Sequence, residues 1–291
     1  MVIANAYSLA QSYRHCRELT RREARNFYYG FILLPSSQRR AMYSSYAFSR
    51  ICDDIVDDEG KTSPDKREDL NNFRRELDLC LQGQPEGPVF PALRDAIQRF
   101  QIPTEYFHQI LDGVEMDLDV HRYSTFEQLK GYCHLVASIP GLVTIEICGY
   151  QGGEEARLHA TELGIAMQLT NIIRDIREDA NRDHIYLPED EMRAFGYSEE
   201  ELMAGLQNEA FYRLMDYQVQ RAMEYFRLGR QLLPLVPRRS RACVAALANI
   251  YQALLGRIVS RHYDVFQQRV TLNSCQKIAV ASRALARSML P

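Results

Sequence analysis

Apolar residues recur every three or four positions along almost the whole chain, and alternation with a period of two is nearly absent. This spacing predicts helices over 5–24, 37–58, 65–82, 89–101, 104–120, 125–149, 154–179, 199–233, 238–268 and 273–289. Breakers fall between them: Pro35, Pro64, the run GQPEGP, Pro103, YQGG, Pro188, Gly196 and PLVP. The chain of 291 residues exceeds the usual length of about 100–200 residues per domain. No linker, repeat or low-complexity tract divides it. The expectation is an all-α fold forming one domain over 1–291.

Composition narrows the chemistry. Hydrophobic residues make up 46% and charged residues 25%, enough apolar material for a large core. The 35 basic and 38 acidic residues leave a formal charge of −3. That balance argues against a general polyanion-binding surface, nucleic acid included. A phosphate-bearing substrate would be gripped locally, by metal or by a few arginines. Seven scattered cysteines without a C-x-x-C pair read as reduced thiols, which points to the cytoplasm. The first residues lack the apolar core of a signal peptide, and no window approaches ~20 uninterrupted apolar residues. No membrane span is expected, and a greasy substrate would be met from the water side. Peripheral membrane contact is compatible with this, although no polybasic amphipathic stretch demands it.

Two stretches carry the candidate chemistry. RICDDIVDDEG holds Asp53, Asp54, Asp57, Asp58 and Glu59. On a helix, Asp53 and Asp57 lie on adjacent turns of one face, about 40° apart. At ~6 Å and an effective dielectric of ~20, such a pair costs roughly 3 kcal/mol if it is partly buried and uncompensated. Alone, this cluster is either a solvated helix end or one wall of a metal site. The second stretch, QLTNIIRDIREDANRDHIYLPED, places Asn171, Asp175 and Asp179 at i, i+4 and i+8, a continuous stripe. Arg174 and Glu178 have the spacing of a surface ion pair. Oxygen-only ligands at one-turn spacing favour Mg²⁺ over Zn²⁺. Mg²⁺ prefers one or two carboxylates plus substrate phosphates, so the expected ligand is a diphosphate. Arg50, one turn before the first stripe, reaches either that anion or its own neighbours Asp53 and Asp54.

A third acidic group, Asp112, Glu115, Asp117 and Asp119, reads as a solvated helix end. No H-x-x-x-H, G-x-S-x-G or G-x-x-x-x-G-K-[ST] pattern occurs, and no G-x-G-x-x-G unit offers a Rossmann site for NADPH. The loops EGKTSP and ANRDHIYLPED, one beside each stripe, are either closing lids or plain connectors.

YAFSRICDDIVDD and QLTNIIRDIREDANRDHIYLPEDE resemble the two aspartate-rich signatures of the squalene/phytoene synthase family. NFYYGFILLP, GYCHLVASIPGLV and RIVSRHYDVFQQRV resemble further family segments, so the likeness runs in order over roughly residues 13–285. The resemblance implies an all-α isoprenoid synthase with a central cavity. It also implies Mg²⁺-dependent head-to-head joining of two prenyl diphosphates through a cyclopropyl diphosphate. It assigns Asp53, Asp57, Asn171, Asp175 and Asp179 to metal, and Arg50, Tyr46, Arg174 and Tyr251 to the surroundings of the diphosphates. Phe27, Val136, Ala137, Gly141 and Gln168 match positions lining the substrate cavity.

The chain departs from the family pattern in places. Arg177 replaces a small residue, and Asp183–His184 replace a Gly–Arg pair, so His184 is expected to be a weaker, pH-dependent diphosphate contact. Asn26 stands where a serine-rich turn is common, and Pro140 is expected to bend a cavity-lining helix. Among products, the sequence leans to C30 (presqualene diphosphate or squalene) from farnesyl diphosphate. NADPH is needed only if the reaction proceeds to squalene. C40 phytoene from geranylgeranyl diphosphate is the alternative, and an ionisation-initiated terpene cyclase the alternative of another class.

Overall fold

A computed structural model of the chain describes residues 7–24 and 26–289. The first half contains α1 (Leu9–Glu23), α2 (Phe27–Phe31), α3 (Ser36–Val56), α4 (Ser63–Leu81), α5 (Phe90–Phe100), α6 (Glu105–Met116) and α7 (Phe126–Cys133). A π turn, His134–Ser138, joins α7 to α8 (Ile139–Cys148). Then come α9 (Glu154–Asn181), α10 (Glu189–Phe195), α11 (Glu199–Met203), α12 (Glu209–Gly229), a 3₁₀ turn Arg230–Leu235, α13 (Arg238–Ser260) and α14 (Ser274–Met289). No strand forms among the described residues; a single bridge ties Arg122 to Ile185. The chain is all-α, as its periodicity predicts.

Local chemistry sets several boundaries. Ser8 and Asp65's partner Thr62 build capping boxes at the starts of α1 and α4, which satisfy helix-end N–H groups reciprocally. The predicted helix over 199–233 is three pieces. Gly205, at φ 66°, ends the first, and the Asn208 side chain accepts from Phe211 N at 2.9 Å to begin the next. The predicted helix over 238–268 stops at Ser260, because His262 and Tyr263 take left-handed backbone at φ 52° and 56°. The short α2 and α10 escaped the periodicity because five and seven residues show barely two turns.

One large apolar cluster joins most of the helices. Its centre is α9, which packs against α8, α12 and α13. Pro140 does not simply bend its helix. A proline lacks the N–H for an i−4 bond, and its ring crowds that carbonyl. The wider π turn immediately ahead of it takes up this misfit. Two runs, Phe126–Cys148 and Arg238–Ser260, are long and apolar enough to cross a membrane, contrary to the count of uninterrupted apolar residues. Half or more of each apolar window, 50% and 61%, is buried against the rest of the protein.

The π turn and α9 approach closely at Gly164. A Cβ there would stand 2.7 Å from Ala137 O and Ser138 Cα. The Gly164→Ala variant is therefore expected to lose about 1–3 kcal/mol of stability through overpacking. A melting temperature unchanged in a thermal scan followed by circular dichroism would show the crossing to be slack.

Candidate active site

Three long helices grade from apolar to polar in the same direction. Along α3, Met42, Ser45, Tyr46, Ser49 and Asp53 line one cavity in succession; along α9, Ala160, Leu163, Gly164, Met167, Gln168 and Asn171 do so; along α13, Val244, Leu247 and Tyr251. Helical spacing of three and four keeps each series on one face. The apolar cavity has a volume of about 320 Å³. Phe27, Val136, Ala137 and Gly141 add to its wall. Phe27 sits among rings, with centroids 5.9 Å from Tyr46, 5.8 Å from Tyr251 and 5.9 Å from Phe31.

The polar ends of α3 and α9 open onto a second cavity of about 720 Å³. Arg50, Asp57, Arg174, Asp175, Asp179 and His184 line it, and Asp53, Gln168 and Asn171 border both cavities. The structure thus gathers around one continuous space every residue that the resemblance assigns to metal, diphosphate or cavity, with His184; Asn26, Asp54 and Asp58 line neither cavity.

Its electrostatics are those of crowded acids. Asp53 opens to the cleft yet is enclosed by protein, and that burial pushes its pKa up to about 7; Arg50 opposes the shift while Asp57 and Asp117 add to it. Burial, then Asp175 and Glu178, push Asp179 up to about 8. Arginines compensate in part. Asp175 accepts from Arg174 Nε at 2.7 Å and bidentately from Arg269, at 3.0 and 3.1 Å. Arg182 reaches Asp57 at 3.1 Å, and Arg50 bonds Asp54. Asn171 donates to Gln168 Oε1 at 3.2 Å, leaving its own Oδ1 buried without a partner.

That orphaned oxygen fits a cation. So does a donor set of carboxylates and one amide, hard oxygen ligands of the kind Mg²⁺ prefers. Among the described residues no three His, Cys, Asp or Glu side chains converge as a cage. This geometry suits an ion that completes its coordination with substrate phosphate and water.

Several expectations need correction. Asp117, grouped with solvated acids, instead faces both cavities. It accepts from Tyr132 and Tyr186 at 2.9 Å each; burial raises its pKa to about 6 against those two hydrogen bonds. Its sequence neighbours do behave as surface charges: Arg67 binds Glu115 and Asp119, and Arg74 binds Asp112. Only the helix phase separates Asp117 from them. Arg174 does not pair with Glu178; it is buried against Asp175. His184 is no weak cation. Burial, with His121 beside it, lowers its pKa to about 4, and its ring stacks 4.4 Å from His121. Arg182, Arg269, Tyr132 and Tyr186 were missed because they come from loops or read as core.

Comparison with known proteins is then decisive. The squalene/phytoene synthase family matches residues 20–276. The chain belongs to that family. It is 33% identical over 292 residues to a 15-cis-phytoene synthase of Synechococcus elongatus, covering 97% of this chain and 94% of the relative. It is 36% identical over 285 residues to a phytoene synthase of Mycobacterium tuberculosis, covering 97% and 93%. Among solved structures, a dehydrosqualene synthase superposes with a TM-score of 0.89 at 26% identity, covering 96% of this chain and 97% of that one. A squalene synthase of Alicyclobacillus acidocaldarius gives 0.81 at 28% identity, covering 88% and 95%. The protein is a prenyltransferase of the squalene/phytoene synthase family, and its reaction is head-to-head condensation of prenyl diphosphates.

The raised carboxylates make metal-free stability depend on pH. The folded protein holds protons on Asp53 and Asp179 that the unfolded chain has already released above about pH 4. Stability should therefore fall as pH rises from about 5 to 8, through the folded pKa values of about 7 and 8. In chelator-treated protein, Asp179→Asn should flatten this slope. A melting temperature that rises over the same range would contradict the crowding of charge.

Proposed function

We propose that this synthase joins two geranylgeranyl diphosphates into C40 phytoene. The support for the reaction class is geometric: acidic stripes from α3 and α9 stand over one apolar cavity and share its neck. The support for C40 over the C30 product expected from sequence is that relatives 33% and 36% identical across nearly the whole chain are phytoene synthases. The C30 reading remains second, motivated by the likeness in shape to a dehydrosqualene synthase.

Asp53, Asp57, Asn171, Asp175 and Asp179 would hold Mg²⁺, which supplies charge neutralisation that turns the diphosphate into a leaving group. Arg50 and Arg174 approach the same anion as planar donors. Arg174 is already buried against an acid, so it is oriented without further ordering. His184, neutral at working pH, is a hydrogen-bonding group at the cleft wall rather than a charge. Below the neck, the rings of Phe27, Tyr46 and Tyr251 line the wall beside which an allylic cation would form, and the apolar lining would keep water from it. Val136, Ala137, Gly141 and Gln168 shape the space for the second chain. A hydrocarbon product needs an apolar acceptor, so peripheral contact with a membrane from the cytoplasm completes the proposal.

Purified protein incubated with Mg²⁺ and either geranylgeranyl or farnesyl diphosphate, with and without NADPH, decides among these products by mass spectrometry. Phytoene, unaffected by NADPH, is expected. A C30 product from farnesyl diphosphate alone would select the second reading, and cyclised monomers would make the protein a terpene cyclase. Asp53→Asn and Asp175→Asn should each slow turnover by roughly 100-fold or more, since one ligand of a Lewis acid is lost. Their helical circular dichroism should not change. Wild-type rates in both would defeat the metal assignment.

A further inference from the structure

The overall charge of −3 hides an uneven distribution. From residue 225 onward, eleven lysines and arginines face a single acid, Asp264. No Asp or Glu occurs between Glu23 and Asp53 either. Such asymmetry within a chain is a mark of contact with a polyanionic surface. The fold brings the starts of α3 and α13, within these two acid-poor segments, together at one end of the molecule, while Arg227, Arg261 and Arg269 are paired with Glu224, Asp264 and Asp175. Ser240, in the first turn of α13, donates to Gln38 Oε1 in the first turn of α3 at 3.0 Å, and both side chains donate to Cys148 O at 3.2 Å. On α14, Ala281 and Ala284 pack on Ala246 of α13, with Leu33 beside them.

Arginines populate this junction. Arg39 lies in the first turn of α3, Arg238, Arg239 and Arg241 in that of α13, and Arg283 on α14. Arg238, Arg239 and Arg283 are exposed. Neither first turn contains an acid, and neither N-cap, Pro35 or Pro237, supplies a side-chain hydrogen bond. Cations at the positive end of a helix dipole are unfavourable unless an outside anion meets them. Two cavity helices begin this way, side by side. Beside Arg39, whose Nη1 donates to Ile32 O at 3.3 Å, Ile32 presents 39% of its surface. The turn 149–153, resting on Leu235 and Pro237, leads to Glu154 and Glu155, which bound the patch.

The direction of the cavity gives this end its meaning. Met42 and Val244, the lining residues nearest the starts of α3 and α13, form its deep part, whereas the aspartates lie at the opposite end of α3. A prenyl tail held by its diphosphate therefore points toward the arginine-rich end. We infer that this end of the bundle, through the exposed Arg238, Arg239 and Arg283, docks on an anionic lipid bilayer; Arg39 and Arg241, half-buried, donate instead to Ile32 O and to Val236 O and Pro234 O. The inference rests on the proposed hydrocarbon product, which gives the enzyme a reason to sit where its tails point at lipid. Each arginine near such a surface adds attraction that salt screens.

Co-sedimentation of the full chain with phosphatidylcholine vesicles, with and without phosphatidylglycerol, tests this directly. Binding is expected only to the anionic vesicles, weakening with salt and unaffected by matching inorganic phosphate. R238E/R239E should cut binding at least about tenfold, while R75E, a reversal on the exposed face of α4, should leave it unchanged. R283E repeats the test from a different helix if the double variant misfolds. Equal binding to neutral vesicles, no binding, equal loss in R75E or preference for polyuridylate over vesicles would each overturn the docking face. So would a sedimentation coefficient that R238E/R239E converts from dimer to monomer, since the patch would then be a subunit interface. Vesicle binding is read without turnover, so its failure leaves the condensation reading intact, and a different product leaves the vesicle result intact.

Discussion

Like charges held together across a cleft are the constraint from which the rest of this molecule follows. Asp53 and Asp179, on helices distant in sequence, both have their ionisation suppressed by enclosure and by neighbouring acids. A fold tolerates this only if its remaining packing is strong enough to hold the two helices in place. The large single core around α9 provides that rigidity. Arginines supply part of the missing positive charge, through Arg182 on Asp57 and Arg174 and Arg269 on Asp175. Charge crowding that a cation relieves is a common way to make a metal-dependent anion site, because affinity comes from removing an existing repulsion.

The same helices that end in acids begin in apolar residues, so one set of elements builds both halves of the site. The neck residues Asp53, Asp117, Gln168 and Asn171 are polar on a wall that is otherwise greasy. On the proposed reading, the bond to be broken would lie at the boundary between a wet, charged cleft and a dry cavity, with leaving-group departure favoured on one side and cation survival on the other.

Much of this was legible from the residues. The 3.6-residue period announced the long helices, and the spacings of Asp53 with Asp57 and of Asn171 with Asp175 and Asp179 announced two stripes. Periodicity cannot say which stripes face each other, and it cannot tell Asp117 from Asp119, two residues apart yet on different sides of α6's end. The arginine partners escaped for a similar reason: Arg269 lies in irregular chain after α13, and its bidentate contact with Asp175 spans 94 positions. His184 shows the opposite failure. Its type suggested a titrating cation, but stacking on His121 and burial remove that property, and side-chain type alone does not report burial.

The π turn at 134–138 has a genetic consequence. It holds one residue more than the α turn it replaces. Deleting any one of its residues lets the segment rewind as ordinary α-helix, which leaves Gly141 and Thr144 on the cavity wall but sets the Pro140 ring against the carbonyl four positions back. A three-nucleotide deletion here thus spares the lining and strains the helix, whereas the same deletion inside α8 turns every residue after it by about 100°.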